Sequence, residues 1–396
     1  MQVNSENDFQ QNVYDIIIAG AGCAGLSLLY AILNSSILNQ QSILIIDKSF
    51  SKSNDRTWCF WEEDKGIFEK LVCKHWEQIS VHKQSFSKIL TTHPFVYKMI
   101  QGEDFYNHVI SFARTFQNVH WKESTIQLVD NQENQVKVQM EGENVYGKKI
   151  FSSILPQDKL YKISQTNFAT SFLWQHFKGW QILFDKPVFN EMQARLMDFN
   201  VQQHQATAFM YQLPLTDRKA LVEYTLFSKN ILDELEYDAA IKKYLDNNYP
   251  NCNYRILHEE MGAIPMTTQI FARDEGNIYV IGTLGNAVKA STGYAFQFIQ
   301  KQVKNIVNQL ENGLAINTHV HNTRHSFYDA VLLYILAHKL MEGSEIFKRI
   351  FEKNKASTIF KFLSNTSTIW EDISIMRCLP TSIFLPAAIK VLLRRS

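Results

Sequence analysis

The chain has 396 residues, of which 45% are hydrophobic and 20% are charged, so it can bury a substantial core and is neither disordered nor fibrous. Its 40 Lys and Arg residues balance its 39 Asp and Glu residues, which excludes the strongly basic footprint of a nucleic-acid-binding protein. The five cysteines are scattered and form no CxxC pair, so the sequence predicts neither a disulfide framework nor a metal site.

The first residues, MQVNSENDFQQN, are polar and lack a basic segment followed by an apolar one. We therefore expect no secretory signal and a cytoplasmic protein. Residues 14–33 imitate a short membrane span, but Asp15 and three closely spaced glycines favour a strand, a tight turn and a helix. Little else is long and apolar enough to cross a bilayer, so any membrane contact is expected to be peripheral.

The turn in this first segment reads G-A-G-C-A-G and lies between a β-rich run and a helical pattern. Gly20 allows the tight turn, Gly22 lets the backbone approach a pyrophosphate, and Gly25 lets helix and strand pack closely. The next apolar strand, SILIID, ends at Asp47, which is placed to accept hydrogen bonds from ribose hydroxyls. The pattern predicts a dinucleotide-binding βαβ unit, although packing glycines in an ordinary turn would look similar.

The following cluster, DRTWCFWE at 55–62, places an arginine within an aromatic run. Arg56 could neutralise a phosphate or stack on adenine, and the aromatic residues could wall a flavin or an apolar ligand. Read alone, such a run is more often part of the core.

The sequence pattern changes twice in the middle of the chain. Residues 70–150 alternate short strand-like and helical pieces, among them the amphipathic helix GEDFYNHVISFART. From about residue 165 the sequence becomes rich in aromatic strands. Of these, AFMYQLPL and ALVEYTLFS are separated by TDRK and predict an antiparallel hairpin.

Glu223 occupies the middle of this second hairpin strand. Alternation places it on one face with Leu221, Thr225 and Phe227, where burial would raise the pKa of the carboxyl group and keep it protonated as a general acid. The alternative is that this face is solvated and Glu223 is an ordinary surface residue. Asp198, in the segment MDF, is a weaker candidate, and the scattered histidines are interpreted as structural.

Further along, NIYVIGT predicts another buried strand, followed by glycines and a helix from about 293 to 312. Backbone amides at Gly282, Gly285 and Gly293 could hold cofactor phosphates or the carbonyl oxygens of a flavin ring. The remainder, 325–396, is predicted to be mostly helical. Its basic, apolar end through Arg394 and Arg395 fits either an amphipathic membrane anchor or a helix with a solvated basic end.

These patterns predict an α/β fold with a discontinuous Rossmann-like FAD-binding domain, an inserted antiparallel-sheet substrate domain and a helical carboxyl-terminal region. The predicted bounds are 1–75 and 255–312 for the FAD-binding domain, with 76–165 partly shared, 166–254 for the substrate domain, and 313–396 for the helical region.

Four segments together resemble the bacterial type of lycopene β-cyclase. They are DRTWCFWE at 55–62, MDF at 197–199, LVEYT at 221–225 and STGYAF at 291–296. The resemblance covers nearly the whole chain and implies a fold of the glutathione-reductase and aromatic-hydroxylase type. It also implies that Glu223 matches the family's essential acidic residue.

The resemblance further implies FAD in its reduced form with NAD(P)H as reductant, lycopene and carotenoid intermediates as ligands, and peripheral association with the inner face of the cell membrane. One departure is that the Gly-Asp pair of many flavoprotein hydroxylases is here Gly282-Thr283. The sequence therefore lacks the aspartate that would contact the ribityl chain of the flavin, so contacts to the flavin in this segment would come from the backbone.

The implied reaction is an isomerisation in which a proton added to an acyclic end group of lycopene starts ring closure. A flavin-dependent reductase or hydroxylase acting on an isoprenoid or other apolar substrate is the alternative, because it would share the glycine motif and the architecture. A carotenoid or flavin carrier would need neither Glu223 nor a reductant. The sequence leaves open the number of rings formed, the choice of β over ε product, and the oligomeric state.

Overall fold

The computed structural model describes residues 13–154 and 171–395, which form three sheets and a carboxyl-terminal group of helices. The amino-terminal stretch, the start of the predicted substrate domain and the side chains of Arg394 and Arg395 lie outside the described residues.

The first sheet carries the predicted βαβ unit. Its strands are β1 Val13–Ala19, β2 Ile43–Asp47, β8 Val119–Glu123, β9 Ile126–Asn131, β10 Val136–Met140, β11 Glu143–Ser152 and β17 Ile278–Val280. Strands β1, β2, β8, β11 and β17 pair in parallel, while β9 and β10 add an antiparallel extension. Parallel strands are buried on both faces, which explains the continuous apolar runs of β1 and β2.

The helices that cover this sheet come from distant parts of the chain. They are α1 Cys23–Leu33, α2 Gly102–Ala113 and α4 Phe296–Glu311. Helix α1 packs against both α2 and α4. The predicted amphipathic helix and the predicted helix after the late glycines are therefore confirmed, and one core joins both ends of the chain.

The second sheet is mainly antiparallel and contains the predicted hairpin. Its strands are β5 Gln78–Lys83, β6 Phe86–Thr91, β12 Leu173–Phe184, β13 Gln193–Asp198, β14 Thr207–Pro214, β15 Lys219–Ser228 and β16 Tyr254–Met266. Their order across the sheet is β16, β12, β15, β14, β13, β5, β6. Helix α3, Glu234–Asn248, packs on β12 and β15 through a small core of its own.

Strand pairing assigns three further strands to the second sheet. Strand β16 lies almost entirely within 255–312, which the sequence predicts as part of the FAD-binding domain, but it pairs along its whole length with β12 in the second sheet. Strands β5 and β6, from the segment 76–165 that is predicted to be partly shared, join the same sheet through a parallel pairing of β5 with β13. The pairing partners of these three strands are far away in sequence, so local patterns could not assign them to a sheet.

A small third sheet connects the two larger ones. It consists of β3 Thr57–Glu62, β7 Val96–Gln101 and β4 Lys74–Trp76, in that order. Strand β3 contains the aromatic run of the sequence, and Phe60 stacks on Phe296 at the start of α4 with ring centroids 4.4 Å apart. Part of the run is therefore core, as aromatic runs usually are.

The end of the chain is helical, as predicted. Its helices are α5 Thr323–Ala337, α6 Gly343–Lys353, α7 Ala356–Leu363, α8 Ile369–Arg377 and α9 Thr381–Arg395. They pack on the second and third sheets and share one core with them. Within residues 13–154 and 171–395, none of the helices is both long enough and apolar enough to cross a membrane.

A fully buried ion pair joins these helices to the late glycine-rich loop. The Nζ atom of Lys289 lies 2.8 Å from Oδ1 of Asp329 in α5 and donates to Oδ1 of Asn365 at 2.7 Å. Ser291 donates to the same aspartate oxygen. The backbone carbonyl of Lys289 accepts from the N–H groups of Thr292 and Gly293. Contacts from the carboxyl-terminal helical region therefore fix the position of the glycine-rich loop.

Candidate active site

The turn after β1 has the geometry that the sequence motif predicts. Gly20 has a φ of +100°, which disfavours other residues, and a side chain on Gly25 would place Cβ 1.9 Å from the carbonyl oxygen of Gly20. At Gly22, the first residue before α1, an added Cβ would meet no atom within 4 Å. The amino end of α1 is therefore open to a ligand at the position where a pyrophosphate would approach.

Asp47 ends β2 beside this turn. Its carboxylate accepts a hydrogen bond from the Ala21 N–H at 2.6 Å and forms an ion pair with Lys52, whose Nζ atom lies 2.9 Å away. Both side chains line the same cavity as Gly22. Lys52 was not singled out in the sequence, although a lysine shortly after the acidic strand end adds a positive charge near the expected phosphates.

One cavity of about 460 Å³ is lined both by residues of this turn and by residues on one face of the second sheet. Its walls combine polar groups at the turn with aromatic and aliphatic side chains at the sheet. The aromatic residues that line it are Trp58, Tyr106, Phe177, Phe209, Tyr211, Phe227, Tyr294 and Phe296.

Glu223 faces this cavity together with Leu221, Thr225 and Phe227, which are the neighbours that strand alternation predicts. The residue is only 9% exposed, so the alternative that Glu223 lies on a solvent-exposed face of the sheet does not hold. Burial, with a smaller contribution from the negative charge of Glu260, raises the pKa of Glu223 to about 8, and a hydrogen bond from the Thr225 hydroxyl opposes part of that rise. A carboxyl group in this state keeps its proton near neutral pH and can donate it.

Glu260 is a second buried carboxyl group in the cavity, and it was not singled out in the sequence. It accepts a hydrogen bond from the Thr57 hydroxyl at 2.6 Å, and burial raises its pKa. Strand alternation puts Glu260 on the same face of β16 as Gly262 and Ile264, which is the one local indication of its position. Only the pairing of β16 with β12 places Glu260 near Glu223.

Arg56 also lines the cavity, but its side chain is exposed and donates to the carbonyl oxygen of Met261 at 3.2 Å. The arginine therefore connects the loop before β3 with β16. Its guanidinium group remains accessible to a phosphate or an aromatic ring.

The three late glycines occupy different positions. Gly282, with a φ of +63°, donates its N–H to Gln302, and an added Cβ would lie 2.9 Å from Cβ of Ala24 in α1. Gly293, with a φ of +73°, lines the cavity. Gly285 instead borders a separate pocket of about 350 Å³ and packs against the carbonyl of Val280.

Two buried polar atoms of residues that line the cavity have no hydrogen-bond partner among the described residues. They are Oε1 of Gln175 in β12 and Oγ1 of Thr292 beside Gly293. Buried polar atoms are normally paired, so these two atoms favour a polar ligand near Gly293. Gln175 was missed in the sequence because nothing local distinguishes it.

Asp198, His321 and His325 lie outside this site. Asp198 accepts hydrogen bonds from Tyr244 at 2.9 Å and Arg195 at 3.1 Å, so it is engaged in a buried cluster of its own. His321 and His325 hydrogen-bond within the carboxyl-terminal region. In the described part of the chain, no group of three or more His, Cys, Asp or Glu residues is arranged to hold a metal ion.

The fold and the site define an α/β protein in which a dinucleotide-type turn and an antiparallel sheet enclose one cavity. The family model described as lycopene cyclase protein matches residues 15–388. The chain therefore belongs to this family.

Solved structures share the fold at low sequence identity. A geranylgeranyl bacteriochlorophyll reductase-like protein from Thermoplasma acidophilum is 13% identical, with 96% of both chains covered and a TM-score of 0.56. A flavoprotein/dehydrogenase from Cytophaga hutchinsonii is 9% identical, with 97% of this chain and 100% of that chain covered and a TM-score of 0.58. Halogenase PltM in complex with phloroglucinol and FAD is 11% identical, with 88% and 79% covered and a TM-score of 0.51. A sequence search of curated proteins finds no match.

Proposed function

We propose that this protein is a flavin-dependent lycopene β-cyclase that converts acyclic ends of lycopene to β-ionone rings without net redox change. The observation that carries the proposal is the buried, raised-pKa Glu223 in an aromatic cavity that reaches the dinucleotide-type turn. Membership of the lycopene cyclase family supports the substrate class.

The chemistry begins when Glu223 donates its proton to carbon 2 of an end group. The tertiary cation at carbon 1 is attacked by the 5,6 double bond, and loss of the proton from carbon 6 leaves the ring double bond. Aromatic walls such as Phe177 and Phe209 stabilise positive charge through their ring faces and exclude water that would trap the cation.

Residues of the turn, of the late glycine-rich loop and of β12 fit FAD. Gly22 leaves space for the pyrophosphate, Asp47 ends the strand where ribose hydroxyls bind, and Gln175 and Thr292 offer unpartnered polar atoms. Halogenase PltM, which shares the fold, was solved in complex with FAD. Reduced FAD, with NAD(P)H as reductant, would supply an electron-rich ring system that favours nearby positive charge.

Expression in a lycopene-accumulating bacterium tests the proposal. We expect carotenoids with one or two β-rings to replace lycopene, and purified protein to form them without consuming NAD(P)H in proportion to product. A reductase or hydroxylase would consume NAD(P)H in proportion and yield hydrogenated or oxygenated pigment. Unchanged lycopene in cells that contain folded, flavin-loaded protein would contradict the proposal.

We predict that the protein binds FAD non-covalently and that Gly22→Val weakens binding at least about tenfold, or 1.4 kcal/mol. The valine should block the pyrophosphate without disturbing the fold, because no protein atom lies within 4 Å of the added Cβ and the backbone is extended. Flavin absorbance and fluorescence titration measure binding, and the Tm without FAD measures folding.

Gly25→Val provides the contrast. Its Cβ would overlap the Gly20 carbonyl, so this variant should lose stability as well as FAD. Wild-type affinity in a folded Gly22→Val protein would show that the nucleotide binds elsewhere.

We propose further that the protein contacts the inner face of the cell membrane peripherally, because its hydrocarbon substrate resides in lipid. Helix α8 exposes Trp370, which is 77% accessible, and α9 exposes Leu385, Ile389 and Leu392. Large apolar side chains of this kind insert into the boundary between headgroups and acyl chains.

Combined substitution of Trp370, Leu385 and Leu392 by serine is predicted to reduce co-flotation with anionic lipid vesicles at least about tenfold, because each side chain loses apolar burial in lipid. The matched control is Leu235→Ser, at an 80% exposed leucine on α3. Carbonate or high salt should release the wild-type protein from membranes. Equal flotation of the triple variant and the control would place the contact on another surface.

A further inference from the structure

The proposed reaction requires two proton transfers at two different carbon atoms. A proton must reach carbon 2 before ring closure, and another must leave carbon 6 afterwards. A single carboxyl group that has just donated its proton would have to move to the second atom to collect the other. The structure offers a second group for this step, and the inference that follows rests on the proposed function.

Glu223 and Glu260 lie on either side of one residue of the second sheet. Strand β12 runs between β15 and β16, and Gly179 is opposite Glu223 on one side and opposite Glu260 on the other. Residues paired in this way present their side chains to the same face. Both glutamates therefore face the cavity in a single row.

Gly179 itself contributes no side chain between the two carboxyl groups, and the Leu221 side chain approaches it most closely, with Cδ1 3.1 Å from the position of an added Cβ. Adjacent strands are about 4.8 Å apart, so the α-carbons of the two glutamates are separated by two such spacings, roughly 10 Å. A Cβ on Gly179 would lie 3.4 Å from Cβ of Glu223 and 3.4 Å from Cγ of Glu260. The row therefore places Glu223 and Glu260 on the two sides of a glycine, with no side chain of β12 between them.

The surroundings of the two groups favour different protonation states. Glu223 lies among Leu221 and Phe227, and the negative charge of Glu260 adds to the effect of burial in raising its pKa. Burial also raises the pKa of Glu260, with a smaller contribution from Asp55, but the Thr57 hydrogen bond and the electrostatic influence of His258 and Arg56 oppose that rise. When the pair holds one proton, it therefore rests on Glu223 and the negative charge rests on Glu260.

We propose that Glu260 is a second catalytic carboxyl group, which accepts the proton that leaves carbon 6 of the cyclised end group. The Glu223 proton bonds to carbon 2, and the electron pair of the 5,6 double bond forms the bond from carbon 6 to carbon 1. The positive charge moves to carbon 5. The carbon 6 C–H bond then breaks, its electron pair restores the 5,6 double bond, and Glu260 takes the proton. Return of one proton to Glu223 completes the cycle.

The test compares Glu260→Gln with Glu259→Gln in purified, FAD-loaded protein given lycopene in liposomes. Glu259 is the adjacent residue and pairs with Lys178 on the opposite face, so it is a matched control. We expect Glu260→Gln to slow β-ring formation by roughly 10²- to 10⁴-fold, with unchanged FAD affinity and Tm. We also expect the remaining product to include rings whose double bond lies elsewhere, because the cation then loses a proton from carbon 4 or from the carbon 5 methyl group. Glu259→Gln should behave as wild type.

The pH dependence gives a readout that a structural role would not change. The wild-type rate should fall at low pH as Glu260 gains a proton and at high pH as Glu223 loses one. Glu260→Gln should lose the acidic limb, and its alkaline limb should move to lower pH because the charge that helps to keep Glu223 protonated is gone. The other titratable or charged groups around the pair are Asp55, Arg56, Cys59, His258 and Tyr294, together with Tyr211, which is opposite Glu223 on β14.

The outcomes separate the two proposals. Wild-type protein that makes no cyclic product would overturn the proposed function, and this inference with it. Active wild-type protein with a Glu260→Gln variant of normal rate, product and pH profile would overturn this inference alone. A slow Glu260→Gln variant that has lost FAD, with an unchanged pH profile at saturating FAD, would also overturn it.

Discussion

Glu223→Gln is expected to lower the rate of ring formation by roughly 10²- to 10⁴-fold, because glutamine keeps the shape of the side chain but has no proton to donate to an alkene. The Thr225 hydroxyl can still donate to the amide oxygen, so the local packing should persist. FAD affinity should be unchanged, since Glu223 is not among the residues that we propose to hold FAD. Glu223→Asp keeps the acid at a longer reach and should retain a little activity. Pigment profile and flavin content in lycopene-producing cells measure both effects.

The pH dependence of stability provides a control for folding. The pKa of Glu223 is raised from 4.5 to about 8 in the folded protein, so the folded state keeps a proton that the unfolded state loses above pH 4.5. The stability contribution of this group is therefore fully present below pH 4.5 and falls as the pH rises towards 8. Glu223→Gln removes this fall, and its Tm at pH 8 should not be lower than that of wild type.

Near-normal β-carotene from Glu223→Gln would remove this residue from the mechanism. Loss of both activity and flavin would instead indicate a structural role. Glu234→Gln, at an exposed residue on the opposite side of the sheet, controls for the loss of one negative charge.

Lys289→Met is expected to lower the free energy of unfolding by about 3–5 kcal/mol, because it leaves the buried Asp329 carboxylate without its cation. Both side chains are almost completely buried, so water cannot replace the lost partner. Urea unfolding followed by fluorescence measures the change. Since the Lys289 backbone also holds Thr292 and Gly293, weaker FAD binding should accompany the loss.

The double variant Lys289→Met with Asp329→Leu removes the charge that the single variant leaves unpaired. It should recover part of the lost stability, because an apolar pair does not need a buried counterion. A single variant as stable as wild type would show that the pair does not secure the loop. A double variant less stable than the sum of both single changes would contradict the electrostatic explanation.

Local sequence patterns were sufficient for the elements whose structure depends on near neighbours. The Gly20, Gly22 and Gly25 turn followed from backbone geometry, and the hairpin of β14 and β15 followed from alternation around a short turn. The same alternation placed Glu223 on a face with Leu221 and Phe227. Whether that face was buried could not be read from the strand itself, since a solvated face would show the same spacing.

Tertiary structure decided every feature that depends on pairing between distant segments. Glu260 approaches Glu223 only because β16 pairs with β12, and Lys289 meets Asp329 only because the final helices pack behind the glycine-rich loop. Gln175 is a candidate ligand contact because its side-chain oxygen is buried and has no hydrogen-bond partner among the described residues, which only the folded structure shows. Hydrophobic periodicity and motifs are properties of short windows of sequence, and charge balance is a property of composition. Burial and the pKa values that follow from it are properties of the packed molecule.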